Sequence, residues 1–343
     1  MRTYLLPEHG KVYKANLHCH TTVSDGKLTP EEVKQAYMAE GYSIVAYTDH
    51  DVMIDHSDLA EENFLPMRGY EVEISEASNG RPFREIKTCH VCFVALDPSV
   101  EKQVCWHRSK YLFDNSVLYR DKVRFDESLP DYERVYSGEC ISDMMQKGRD
   151  AGFFVTYNHP RWSMETRDQY IHYHGMHAME ICNYGSWEAG MEDYCPSVYD
   201  ELLRSGQRIF CAANDDNHNY PKEGDADSWR HDSFGAFNMI KAERLDYQTI
   251  GNALKNGDFY ASMGPEIHEL YIEDGYVHIK TSPAKRISLV ADIRSSKSVW
   301  AEPGSTVTEA SFPIRPYYGY IRLTVMDEDG RYANTQAYFM DQL

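Results

Sequence analysis

The segment from Asn16 to Gly26, NLHCHTTVSDG, sets two histidines one residue apart and an aspartate five positions further on. On an extended strand residues i and i+2 face the same side, so His18 and His20 can offer both imidazoles to one ion while Cys19 faces the opposite layer. Similar side chains recur down the chain: Asp49 and His50 in AYTDHD, Glu71 in RGYEVE, His90 in TCHV, His159 in YNHP, and Asp216 with His218 in NDDNH. The candidate metal ligands are therefore His18, His20, Asp25, His50, Glu71, His90, His159, Asp216 and His218. A mixed imidazole and carboxylate set with no obvious thiolate suits Zn, Mn or Fe rather than a softer metal. Nine donors are too many for one ion. They suit two or three divalent ions bridged by carboxylates, an arrangement that performs hydrolysis through a metal-bound hydroxide.

Such a set is useful only if the backbone brings it together. Up to about residue 260, short β-branched or aromatic runs alternate with amphipathic stretches, which is the pattern of an α/β fold. Strands are predicted over 13–19, 43–49, 64–73, 88–96, 152–159, 178–183 and 208–214. Thr29 as N-cap, Pro30 at the first helical position, Glu32 closing a capping box and Gly41 as terminator mark the first helix. A second is predicted from about Ile141 to Ala151, and a third from Ser197 as cap to Gly206 as stop. In parallel α/β barrels the C-terminal strand ends converge on one face, where the donors would meet. The remaining histidines, among them His56, His107, His177 and His231, read as ordinary core or surface residues. Beyond residue 263 no long helical pattern remains. Short alternating runs separated by Asp-Gly, Pro and Gly turns predict a small all-β sandwich. The expected domains are 1–262 and 263–343. The connection at about 99–136 exceeds ordinary loop length, which fits either a lid over a site or a solvated surface insertion.

Composition narrows the partners. The 54 acidic against 35 basic side chains give a formal net charge of −19, which repels a polyphosphate backbone, so no nucleic-acid partner is expected. The same excess of carboxylate suits bound cations. The eight cysteines sit mostly in apolar runs and read as reduced core residues; Cys89 and Cys92 form a lone CxxC without a second pair at zinc-ribbon spacing. MRTYLLPEHGK lacks a signal-peptide core, and no apolar run reaches membrane-spanning length, so a cytoplasmic location and no membrane partner are expected. No GxSxG elbow, P-loop or dinucleotide fingerprint occurs.

With HxH, SDG, TDH, GxE, a strand histidine, NHP and DxH in this order, the sequence resembles the PHP (polymerase and histidinol phosphatase) family of metal-dependent phosphoesterases over residues 14 to about 220. The resemblance implies a distorted seven-stranded β/α barrel holding two or three Zn, Mn or Fe ions. It implies His18, His20, Glu71 and Asp216 on a first ion, Glu71 with His90 and His159 on a second, and Asp25, His50 and His218 on a third. It also implies that Asp49 orients a ligand. NHPRWS, the doubled aspartate of AANDDNH and ALKNGDFYASMGP before a β-sandwich are similar to the PHP metallohydrolases that include carbamate hydrolases of the CehA/McbA type. Arg161 is the best-placed cation to hold a phosphate oxygen, and Asp25 a candidate proton donor. The expected activity is hydrolysis of a small phosphorylated metabolite. Amide, ester or carbamate hydrolysis at the same centre is the alternative, and an Arg161 that points away from the metals would favour it. A non-catalytic binding protein, docking a partner through Tyr317, Tyr318 and Tyr320 of the sandwich, is the second alternative. Elemental mass spectrometry of protein prepared without chelator is expected to find about two to three ions per chain, most of them lost in Glu71→Ala. Fewer than about one ion, not restored by added Mn or Zn, would refute the polynuclear reading.

Overall fold

All seven expected strands form in the computed structural model, which describes residues 2–343 and, at 226 and 227, the backbone alone. They are β1 (Lys11–Asn16), β2 (Tyr42–Tyr47), β3 (Leu65–Ser75), β4 (Thr88–Ala95), β5 (Phe153–Tyr157), β6 (Ala178–Asn183) and β7 (Phe210–Asn214). β4, β5 and β6 are buried at every position, which explains their near-continuous apolar sequences. Two further strands, β8 (Phe237–Ala242) and β9 (Phe259–Ser262), extend the sheet beyond the predicted set.

The sheet is mixed rather than uniformly parallel. β1, β2 and β3 run parallel, as do β5, β6 and β7, but β4 is antiparallel to both of its neighbours. That reversal is what puts His90 at the site: it is the third residue of β4, and a strand running backwards begins where its neighbours end. β8 pairs antiparallel with β1, and β7 reaches β8 through side chains in place of a ladder. Asn238 accepts from Ala213 N (3.1 Å) and donates from Nδ2 to Ala213 O (2.8 Å).

The helices follow their punctuation. α1 (Pro30–Ala39) carries the expected capping box, with Glu32 N on Thr29 Oγ1 at 3.2 Å and Thr29 N on Glu32 Oε2 at 2.8 Å. α2 (Gly138–Asp150) begins three residues earlier than predicted because Ser137 caps Cys140 N. α3 (Pro196–Arg204) is capped at Cys195 rather than Ser197: Pro196 takes the first helical position, and Ser197 lies inside the helix. α4 (Tyr247–Asn256) packs so closely that a Cβ on Gly251 would meet Leu96 O at 1.9 Å.

The chain after residue 263 forms a sandwich of two antiparallel sheets. One consists of Thr3–Tyr4, Ile267–Glu273, Tyr276–Ala284 and Val307–Pro313, so the start of the chain joins it. The other continues the large sheet, because β9 pairs with Tyr332–Asn334. Leu270, Ile279, Ile287, Leu289, Ile321, Leu323 and Val325 fill the space between the two. All eight cysteines are unpaired thiols, buried except Cys140. No helix among the described residues is long and apolar enough to cross a membrane.

Arg322 of the sandwich reaches Asp200 on α3 through two bonds, Nε to Oδ1 and Nη2 to Oδ2, both 2.8 Å. Both side chains are nearly buried, so removing one partner strands the other charge. Arg322→Met is expected to lower the unfolding free energy by about 3–5 kcal/mol in urea titration, and adding Asp200→Leu should recover part of it. A single-variant loss below about 1 kcal/mol would show the pair to be dispensable.

Candidate functional site

Just past the end of β1, His18 and His20 are fully buried, and Cys19 between them is held by a bridge to Asn217. Glu180, at the middle of β6, fixes the first histidine. Its Oε1 lies 2.8 Å from His18 Nδ1, so the other ring nitrogen, Nε2, is turned inward. His18 Nε2 then stands 3.1 Å from Glu71 Oε1 and 3.1 Å from Asp216 Oδ1. His20 Nε2 is 3.3 Å from Glu71 Oε2, 3.0 Å from Asp216 Oδ1 and 3.1 Å from His18 Nε2.

Glu71 is the hub. His90 Nδ1 lies 3.2 Å, and His159 Nε2 3.4 Å, from its Oε1, while His50 Nδ1 lies 3.3 Å from its Oε2. Asn158 Nδ2 donates to Oε1 at 2.6 Å and sets the carboxylate plane. On the outer side Asp25 Oδ2 is 3.3 Å from His218 Nε2 and 3.7 Å from His50 Nε2. Three groups thus bring donor atoms within 4.8 Å of one another: His18, His20, Glu71 and Asp216; His50, Glu71 and His90; and His20, Asp25, His50 and His218. The first is the set that the resemblance implies. In the second His50 stands where His159 was expected; His159 leans instead between Glu71 and Asp216, whose Oδ2 is 3.8 Å away. In the third His20 joins the expected three. Both His159 and Asp216 hold positive φ, 23° and 54°, a cost of the kind found where structure around a functional position fixes the backbone.

The electrostatics are those of a cluster of acids. Burial lowers His18 and His20, yet Asp216 and Glu71 outweigh it and raise both imidazoles well above their usual value. Against burial, Glu71 and Asp216 hold His159 up to about 9. Burial and then the neighbouring His20 push His50 down to about 3. Burial opposes ionisation of Glu71, but His18 and His90 keep it well below the ordinary carboxylate range. Imidazolium charge thus balances the carboxylates here, a balance that bound cations could also supply.

One expected site residue lies elsewhere. Arg161 is exposed and sits beside Cys195, not at the cavity above the cluster. Asp49 stands one step behind the donors: Ser24 Oγ, which bonds to it, also lies 3.2 Å from Asp25 Oδ1. The Asp49 carboxylate accepts from Thr21 N (2.8 Å), Ser24 N (3.1 Å), Ser24 Oγ (2.7 Å) and Thr21 Oγ1 (2.9 Å), which holds the loop that carries Asp25. Several organising residues escaped sequence reasoning. Glu180 also accepts from His159 N (3.0 Å), Asn183 Nδ2 (3.0 Å) and Asn214 Nδ2 (2.9 Å); a glutamate inside the apolar run AMEICN was its signal. Asp215, pushed up to about 7 by burial, ties Tyr37 to the backbone N–H groups of residues 234–236. Asp193 holds the turn after His159 through Trp162 N at 3.0 Å.

The insertion covers part of the site. Phe113 lies 4.8 Å from the His50 ring, and Asn115 bonds to Ser24 O and Thr22 O. Buried Arg134, at the insertion's end, pairs with Asp51 and donates to Glu73 O. A cavity of about 450 Å³ remains, with Glu71, His90 and Asp216 in its wall and Phe83, Phe113, Trp162 and Tyr220 around it. No lysine or arginine lines it among the described residues.

No family model matches the sequence. A stretch of 70 residues is 39% identical to a 5′-3′ exoribonuclease of Haemophilus influenzae, covering 20% of this chain and 26% of that protein's length. Among solved structures the chain is similar to a two-domain protein containing a predicted PHP-like metal-dependent phosphoesterase from Bacteroides vulgatus (TM-score 0.46, 16% identity, 98% of this chain and 97% of that one). It is also similar to a candidate metal-dependent phosphoesterase from Bifidobacterium adolescentis (0.37, 15%, 64% and 93%). A third is an amidohydrolase from Chromobacterium violaceum with bound sulfate and no metal (0.38, 17%, 60% and 87%).

Because Glu180 fixes the ring of His18, Glu180→Gln is expected to weaken divalent-metal affinity about 10- to 100-fold in calorimetric titration of metal-free protein. Unchanged affinity would reduce Glu180 to a packing role.

Proposed function

We propose that this chain is a PHP-type metal-dependent hydrolase, with His18, His20, Glu71 and Asp216 holding one divalent ion and Glu71 bridging to a second near His50, His90 and His159. Asp25 and His218, with His20 and His50 in reach, would hold a third. The observation that carries the reading is the spacing of the donors. Ligands about 2.1 Å from one cation stand about 3.0–3.4 Å apart, and the first group's nitrogen and oxygen atoms are separated by 3.0–3.3 Å. Atoms across the three groups are also short of partners: Glu71 Oε2, Asp216 Oδ1, His20 Nδ1, His50 Nδ1 and His90 Nε2 are buried without a hydrogen bond. Such groups are costly unless something satisfies them.

Bound divalent ions would supply an activated water and positive charge for the anionic oxygen that develops during hydrolysis. The chain's own residues do the rest. Asn158 and Glu180 orient the donors, Asp49 and Asp193 fix the loops that carry them, and Phe113 and Trp162 limit access of bulk water.

The family resemblance favours a phosphoester substrate. A specific observation favours the second reading, hydrolysis of a carbonyl substrate such as an ester, amide or carbamate: Arg161 lies away from the cavity, and the wall offers no other lysine or arginine among the described residues. The same lack of cations speaks against a nucleic-acid track. The tyrosine patch considered for a binding protein does not come together, since Tyr318 and Tyr320 are core residues and of the three only Tyr317 is exposed.

Protein loaded with Mn or Zn is expected to turn over at least one of nitrophenyl phosphate, bis(nitrophenyl) phosphate, nitrophenyl acetate and a nitrophenyl carbamate. The activity should fall by about 1,000-fold or more in Asp216→Asn, the scale on which catalysis by bound metal operates. A loaded protein inert to all four would count against the hydrolase, and the responding ester decides between phosphorus and carbon.

A further inference from the structure

Five histidines line the cavity: His50, His90, His159, His218 and His231. The first four face the carboxylates of the donor set. His231 faces none of them. Its Nδ1 lies 2.8 Å from the backbone oxygen of Ser228. A carbonyl only accepts, so that nitrogen carries the hydrogen and the ring orientation is fixed. The other nitrogen, Nε2, makes no hydrogen bond or ion pair among the described residues, and is the ring atom free to meet a ligand.

The position of His231 is referenced to the donor set through its neighbour. Asp232 Oδ2 accepts from His218 N (2.8 Å) and Asn219 N (2.9 Å), so one carboxylate ties the His231 loop to the His218 loop. Asn219 returns the connection by donating from Nδ2 to Trp229 O (3.2 Å) and Ser233 Oγ (2.8 Å). An imidazole oriented by a third group, open at its other nitrogen and facing a reaction cavity, is the arrangement of an acid–base residue. Rival donors are few: no lysine or arginine lines the cavity among the described residues, Asp25 is committed to His218 and His50 as an acceptor, and the Tyr220 hydroxyl, also in the wall, is a far weaker acid than an imidazolium.

We propose that His231 is the general acid that protonates the leaving group in the hydrolysis assigned to this site. The inference rests on the hydrolase reading above. In the step, the oxygen of water forms a bond to phosphorus or to the carbonyl carbon, and the bond from that atom to the leaving oxygen breaks. The leaving oxygen keeps the electron pair and takes the proton from His231 Nε2. The proton shed by the attacking water returns to Nε2, so ester and water give acid and alcohol.

The test compares two esters of the same acid, one with a nitrophenyl and one with an ethyl leaving group, because nitrophenolate departs without protonation and ethoxide does not. Metal-loaded wild type, His231→Asn and His231→Gln are measured side by side, with metal content per chain determined for each. The expected result is a loss of kcat/KM on the ethyl ester about 100-fold greater than the loss on the nitrophenyl ester, at unchanged metal content. Equal losses on both esters, no loss on either, or loss of metal would overturn the role of His231 and leave the hydrolase standing. Wild type active only on the nitrophenyl ester has no working acid and overturns it as well. Wild type inert to both esters removes the hydrolase reading, and the inference falls with it.

Discussion

Four carboxylates and six imidazoles share one largely buried volume, and most of the local architecture serves to keep them there. Glu71 and Glu180 have almost no access to water, and Asp216 and Asp25 have little. Each charge must be compensated by its neighbours. The result is a graded environment in which His18, His20 and His159, beside both Glu71 and Asp216, are raised, while burial and then His20 lower His50. A set of this kind would be a heavy burden on a purely structural core, since apolar residues of similar volume pack at no such cost.

That burden explains how much polar scaffolding surrounds the site. Asp49, Asp193, Asp215 and Asp232 each accept at least two backbone N–H groups from loops that follow the strands. A carboxylate in such a position does for an irregular loop what a ladder does for a strand, satisfying donors that have no other partner. The insertion is fastened in the same way, through Arg134 on Asp51 beside His50 and Gln103 on Asp51 O at 2.7 Å. Phe113 forms its inner face against His50.

Sequence and structure agree best where chemistry and periodicity coincide. Seven strands of the large sheet were legible because buried strands write near-continuous apolar runs, and the convergence of the His and acid side chains because such residues at the ends of these runs have little other reason to be there. What stayed hidden was set by three-dimensional context. Nothing in TCHVCFVA says that the strand runs backwards, so the placement of His90 at the same rim followed only from the pairing with β3 and β5. The destination of Arg161 depended on Asp193, a residue 32 positions later whose hold on the intervening turn carries no local signature. Glu180 was visible as an acid in an apolar strand, but its partner, His18, is 162 positions away. His231 looked like any loop histidine until the fold set it against the cavity.

The sandwich belongs to this account as well. β7 carries Asn214 and leads directly into Asp215 and Asp216, yet its free edge meets β8 without a regular ladder, which leaves backbone groups to be satisfied by other means. Gln336, just past the strand Tyr332–Asn334 that pairs with β9, ties β7 to β9: its Oε1 accepts from Cys211 N at 2.7 Å, and its Nε2 donates to Cys211 O at 3.2 Å and Phe259 O at 3.1 Å. Asn238 ties β7 to β8 one turn of the pleat further on. The Arg322 pair with Asp200 presses the sandwich against the helix that leads into β7. The C-terminal strands thus complete the edge of the sheet beneath Asp216, and the position of that carboxylate depends on residues more than a hundred positions beyond it.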